Sequence, residues 1–88
     1  MKYEVVFRKS AVKELEDLPN KEIPKVKSAI EDLAETPRPD GVKKLKGTKE
    51  TLWRIRVGNY RVIYSIEDVI KIVEVRTIDG LQIDLTDS

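Results

Sequence analysis

The chain has no cysteine and no histidine. Without thiols there is no disulfide framework, no thiolate metal site and no cysteine nucleophile. Without imidazole, His-based triads, imidazole-bound zinc and histidine proton relays are excluded. No metal and no cofactor is expected. No apolar run approaches the roughly 18 residues that span a bilayer. The start, Met1-Lys2-Tyr3-Glu4, lacks an apolar signal core, so a cytoplasmic location is expected. There is also little room: 88 residues fit one domain, residues 1–88, with a single small core. What is present is 40% apolar and 38% charged residues, the balance of a soluble globular domain with a heavily charged surface.

The net charge of +1 hides an asymmetry. Residues 41–61 carry Lys43, Lys44, Lys46, Lys49, Arg54, Arg56 and Arg61 against Glu50 alone. The segments on either side are net acidic. A block this basic in a nearly neutral chain is either a polyanion footprint or a solvated basic hairpin.

Residues 3–7 alternate as a short strand. Ala11, Val12, Leu15 and Leu18 then fall at helical spacing up to Pro19. Asn20 is placed to cap a second helix with the stripe Ile23, Val26, Ile30 and Leu33, and Pro24 falls in its first turn. Thr36-Pro37-Arg38-Pro39-Asp40-Gly41 breaks the pattern. Leu52–Val57 and Tyr60–Ile66 flank Gly58-Asn59, a two-residue hairpin signal, and Val69–Ile78 is a further strand. The order β-α-α-β-β-β predicts an α+β fold. A helical hairpin packs on one face of a small, mainly antiparallel sheet. The expected core is Tyr3, Val5, Phe7, Val12, Leu15, Ile23, Val26, Ile30, Leu33, Trp53, Ile55, Val62 and Tyr64, with Trp53 among its large buried members.

With the turn at Gly58-Asn59, Arg56 opposes Arg61 and Trp53 opposes Tyr64. Side chains alternate across a strand. Trp53, Ile55, Val57, Tyr60, Val62 and Tyr64 therefore share the core face, and Arg54, Arg56 and Arg61 share the other. Like charges directly opposite destabilise a sheet, so the Arg56–Arg61 pair calls for a compensating anion. If Glu67-Asp68 is also a two-residue turn, Arg61 opposes Glu74, and Ile70, Ile72, Glu74 and Arg76 join the arginine face. Glu74 is then a charge partner of Arg61 or a general base.

Four segments in order are Tyr3-Glu4-Val5-Val6-Phe7, Ala11-Val12-Lys13-Glu14-Leu15, Leu45-Lys46-Gly47, and the run from Trp53 through Gly58-Asn59-Tyr60-Arg61-Val62-Ile63-Tyr64. This pattern resembles the RelE/ParE superfamily of bacterial and archaeal toxins, from residue 2 to about residue 76. The resemblance implies a RelE-like fold and a toxin whose partners are a cognate antitoxin protein, the ribosome and mRNA. RelE-type members cleave mRNA without a metal. Carried over, Arg54 and Arg56 bind and polarise RNA, Arg61 contacts the scissile phosphate, and Leu45-Lys46-Gly47 follows the backbone. No Tyr, His or Arg follows Arg76, so the family's late arginine and aromatic have no match.

The residues permit part of this chemistry. Arg61, Arg56, Arg54 and Arg76 can stabilise phosphorane charge, with Lys43, Lys44, Lys46 and Lys49 binding the RNA. The candidate bases are Glu74 or a lysine, Lys46 or Lys49. Leu81, Ile83 and Leu85 alternate with Gln82, Asp84 and Thr86. That tail adds a strand, masks the arginine face, or frays. Three functions follow. The first is a ribosome-dependent mRNA endoribonuclease. The second is a ParE-like inhibitor of DNA gyrase, and the third is a non-catalytic member that binds antitoxin or RNA.

Overall fold

A computed structural model of the chain describes residues 2–46 and 49–80. Its elements are β1 (Glu4–Phe7), α1 (Lys9–Glu16), α2 (Ile23–Asp32), β2 (Lys43–Lys44), β3 (Trp53–Val57), β4 (Tyr60–Glu67) and β5 (Ile72–Gly80). The sheet order is β1-β5-β4-β3-β2, with β1 parallel to β5 and the other pairs antiparallel. The expected order is thus present, with the two-residue β2 added. Two successive lysines carry no alternation, which is why β2 escapes a pattern search. Gly47 of the Leu-Lys-Gly segment and the tail strand expected over 81–85 lie outside the described residues. Among the described residues no helix is long and apolar enough to cross a membrane.

The helices start and stop through backbone groups rather than side-chain caps. Asn20 does not cap α2. The N-cap is Glu22, without a side-chain bond, and the Pro19 carbonyl instead accepts from the Glu22 and Ile23 amides at 2.8 and 3.3 Å. Pro24 sits in the first turn as expected, where its missing N–H leaves no bond unmade. On α1, Ala11 is fully buried against the sheet while Val12 is 39% exposed, so Val12 leaves the expected core. A helix that approaches a strand closely needs a small residue at the contact, and Val12 lies about 100° around from Ala11.

Val26, Ile30 and Leu33 of α2 meet Ile55, Val62 and Tyr64, all buried as expected. Val73, Val75 and Ile78 of β5 complete the centre. Tyr3, Val5, Phe7, Leu15 and Trp53 pack around it half-buried. The large anchor is Tyr64, with no exposed surface, rather than Trp53.

The first hairpin has the expected register, with Arg56 opposite Arg61 and Trp53 opposite Tyr64. Gly58 takes φ +59°, the value that the first central position of a type II′ turn requires. The second hairpin differs. Its turn is Asp68–Lys71, four residues, so β5 starts at Ile72, and Ile70 is a turn residue, 63% exposed. Glu-Asp suits neither central position of a two-residue turn. Asp68 instead accepts from the Tyr3 hydroxyl at 2.7 Å and from both arms of Arg38 at 3.3 and 2.9 Å. The longer turn and a register shift between Ile63 and Tyr64 place Asp79, not Glu74, opposite Arg61.

Asp68 therefore ties the second turn to Tyr3, just ahead of β1, and to the 36–41 connection. Arg38 also stacks over Trp53 at 5.0 Å, and the Tyr64 hydroxyl donates to the Pro37 carbonyl at 2.7 Å. Bonds from Arg38 and then Tyr3 hold the Asp68 carboxyl down to about 2. A depressed carboxyl stabilises above its unfolded value, near 3.9, and the contribution is lost as pH falls through the folded value. Asp68→Asn is expected to melt below wild type at neutral pH, with the gap constant down to about pH 4 and closed near pH 2. Melting curves of both proteins across that range test this, and a gap that survives at pH 2 contradicts an ionic tie.

Candidate functional site

Facing away from the helices, the sheet carries Arg54 and Arg56 from β3, Arg61 from β4, and Glu74, Arg76, Thr77 and Asp79 from β5, as the ladder registers dictate. Lys43 lies opposite Arg54 and joins this face, whereas Lys44 lies opposite Trp53 on the other face. Lys46 and Lys49 are exposed on the connection from β2 to β3. The structure thus gathers Arg54, Arg56, Arg61, Arg76 and Lys43 and leaves Lys44 apart.

The cations divide by partner. Arg61 Nε and Nη2 donate to the two Asp79 carboxylate oxygens at 2.9 and 3.0 Å. This is the anion that the opposed Arg56–Arg61 pair calls for, and the chain supplies it itself. Asp79 grips one edge of the guanidinium and leaves the outward Nη1 arm without a partner among the described residues. Arg76 is held more fully. Its Nε donates to Glu74 at 2.6 Å, Nη1 and Nη2 donate to Glu50 at 2.6 and 2.9 Å, and Nη2 reaches the buried Ser65 hydroxyl at 3.3 Å. Asp79 raises the pKa of Arg61, and Glu50 with Glu74 raises that of Arg76, so both stay charged. By contrast, Lys43, Lys46, Lys49, Arg54 and Arg56 form no ion pair among the described residues.

Arg76 owes its position to a β-bulge. Val75 opposes Tyr64 and Thr77 opposes Ile63, so Arg76 is the extra residue between them. A bulge kinks its strand and re-aims a side chain. Past the end of β1 the Ile78 amide turns to the helices and donates to Glu14 Oε1 at 2.8 Å.

Glu74 is the partner of Arg76, not of Arg61. Three contributors were not singled out from sequence: Asp79, Glu50 and Ser65. A longer turn alone would bring Ile78 opposite Arg61; the further register shift at the bulge brings Asp79 there, and no local signal marks that bulge. Glu50 carries no signal either, since its contact depends on the path of a connection. Chemically the face offers guanidinium forks and point charges matched to phosphate, with no imidazole to move protons.

Beside the open edge of β3, a cavity of about 350 Å³ lies between α2, the 39–41 segment and Ile55–Val57, with Arg56 in its wall.

The chain matches the family model of the ParE toxin of type II toxin–antitoxin systems, parDE, over residues 5–78. It is 39% identical over 69 residues to the putative toxin RelE1 of Methanocaldococcus jannaschii, covering 75% of this chain and 76% of the relative. The fold is shared with the RelE–RelB complex of the archaeon Pyrococcus horikoshii at TM-score 0.82 and 32% identity, over 96% of this chain and 100% of the other. The RelBE2 toxin–antitoxin complex of Mycobacterium tuberculosis matches at TM-score 0.79 and 28% identity, over 91% and 99%. With the helical hairpin, the five-stranded sheet and the Gly-Asn-Tyr-Arg hairpin in place, the chain belongs to the RelE/ParE superfamily of toxins of type II toxin–antitoxin systems.

Proposed function

We propose that this RelE-like toxin cleaves mRNA on the ribosome, in the cytoplasm, and is held in check by an antitoxin protein that binds it. The observation that carries the reading is the sheet face on which Arg54, Arg56 and Lys43, without ion-pair partners among the described residues, flank the Asp79-anchored fork of Arg61. In the reaction the RNA 2′-oxygen attacks the adjacent phosphorus and the 5′-oxygen leaves. The products are a 2′,3′-cyclic phosphate and a 5′-hydroxyl. Arg61 stabilises the charge that gathers on the phosphorane oxygens, which is commonly the largest catalytic contribution. Arg54, Arg56 and Lys43 hold the flanking phosphates, with Lys46 and Lys49 extending the track. The 2′-proton goes to Glu74 or to a lysine, Lys46 or Lys49, and the departing 5′-oxygen takes its proton from water. Glu74 Oε1 already accepts from Arg76 Nε, which leaves Oε2 as the oxygen open to the proton.

Inducing the chain in a host without its antitoxin is expected to arrest growth and to leave cuts within translated mRNA. Primer extension detects them. Growth arrest with intact mRNA rejects the nuclease. A second reading, gyrase inhibition, is favoured by the parDE family match and by the absence of histidine, since binding gyrase needs no proton transfer. A supercoiling assay with purified gyrase distinguishes it, and a chain inactive in both assays is a binding-only member of the family.

A further inference from the structure

The two paired arginines on the exposed face are not equivalent. The Asp79 carboxylate that holds Arg61 is fixed opposite it in the β4–β5 ladder and takes a side-on grip. The Glu50 carboxylate that holds Arg76 comes from the connection between β2 and β3, outside the sheet, and takes the outward end-on fork. A bidentate fork, of which the end-on Nη1/Nη2 pair is one form, is how a guanidinium meets a phosphate. Behind that fork the site is built. Arg76 is only 14% exposed, its Nε is tied to Glu74, and Ser65 lies beside Nη2, so the guanidinium keeps its aim. Glu50 itself is 55% exposed, and its departure breaks no strand pairing. Arg8 lies close enough to act on the same carboxyl, which Arg76 first and Arg8 second hold below its usual range.

We propose that the Glu50 carboxylate is a built-in stand-in for a phosphate on the Arg76 fork, so that this chain carries a second phosphate subsite, capped by its own side chain until a polyanion displaces it. The inference deepens the RNA reading and rests on it for the natural ligand. It explains why so buried and so well-braced an arginine faces outward at a bulge, and it assigns Glu50, the single acid in the basic block of residues 41–61, a role.

The test uses inorganic pyrophosphate and a short single-stranded RNA as separate probes, in low salt, on wild type, Glu50→Gln, Arg76→Ala and the double variant. Glu50→Gln removes the competing charge and keeps the side chain's size. It is expected to bind pyrophosphate about two- to fivefold more tightly than wild type, the range set by releasing an exposed ion pair. In the Arg76→Ala background the same substitution is expected to give little or none of this gain, because the cap acts through Arg76. General repulsion by Glu50 would instead give the same gain in both backgrounds, and that result overturns the proposal. No gain in Glu50→Gln, including no pyrophosphate binding by either protein, overturns it as well. The RNA probe separates the two readings. A pyrophosphate gain with no RNA binding by any variant leaves the cap standing and rejects RNA as its ligand. RNA binding by wild type without any Glu50→Gln gain rejects the cap alone.

Discussion

Tyr64→Ala is expected to unfold this protein or leave it at the edge of folding. Tyr64 is wholly buried among Ile55, Val62, Val75 and the α2 stripe, and its hydroxyl donates to the Pro37 carbonyl at 2.7 Å. Truncating a large buried aromatic costs about 3–5 kcal/mol. Against a stability of about 5–15 kcal/mol, with a domain of this size at the low end, that is most of the margin. Trp53→Ala is the milder change, because Trp53 is half-buried and part of its contact is with the Arg38 guanidinium. Denaturant melts of both variants rank them, and Tyr64→Ala melting above Trp53→Ala contradicts the assignment of the anchor. Burial also pushes the Tyr64 hydroxyl up to about 12. Between pH 10 and 12 the unfolded chain then releases a proton that the folded chain keeps, so stability falls as pH rises through that window. Tyr64→Phe removes this limb, and its alkaline melting curve is expected to be flatter than that of wild type.

Arg61→Ala is expected to do the reverse, keeping the fold and losing the activity. The Arg61–Asp79 pair is 38% exposed on both sides, so solvent screens it and its contribution is under about 1 kcal/mol. Relief of the opposed Arg56 charge offsets part even of that. A melting shift of a few degrees at most follows. Removing a donor aimed at developing transition-state charge costs on the order of 10²–10³ in rate. Paired measurement of melting temperature and mRNA cleavage decides the matter. Undiminished cleavage by Arg61→Ala excludes it from the chemistry, and a melting temperature tens of degrees lower makes it a structural residue instead.

The elements that could be read from sequence are those whose signal is local. The Gly58-Asn59 turn sets a register that places Arg54, Arg56 and Arg61 on one face, and the structure has that register residue for residue. The α2 stripe was nearly as plain, because period and burial coincide at Val26, Ile30 and Leu33, whereas Ile23, the fourth expected member, stays half-buried outside the core. The second hairpin was not so plain. Its turn is stabilised by Tyr3 and Arg38, remote in the chain, and its register is shifted again at Arg76. Both effects are tertiary, so alternation alone put Glu74 where Asp79 stands. The cationic residues of the site were therefore legible, whereas the carboxylates that hold them were not. A cation's place followed from its own strand, but each partner's place depends on how two distant segments meet.

The position of β5 has a consequence for how the protein is made. The strand latest in the described chain lies between β1 and β4, and it carries Val73, Val75 and Ile78 of the core. Until residues 72–80 arrive, β4 has only β3 beside it and β1 has no strand beside it, since its pairing lies nearly seventy residues away. At about 5–20 residues per second the ribosome needs several seconds to deliver that strand. A chain interrupted before it has half a sheet, no parallel pair and no closed core. The arginine face is assembled late as well, since the Asp79 and Glu74 carboxylates ride on the same strand. A polypeptide still emerging from the ribosome thus has its cations in hand but not the geometry that aims them, and the toxin becomes competent only once residues 72–80 have emerged and paired.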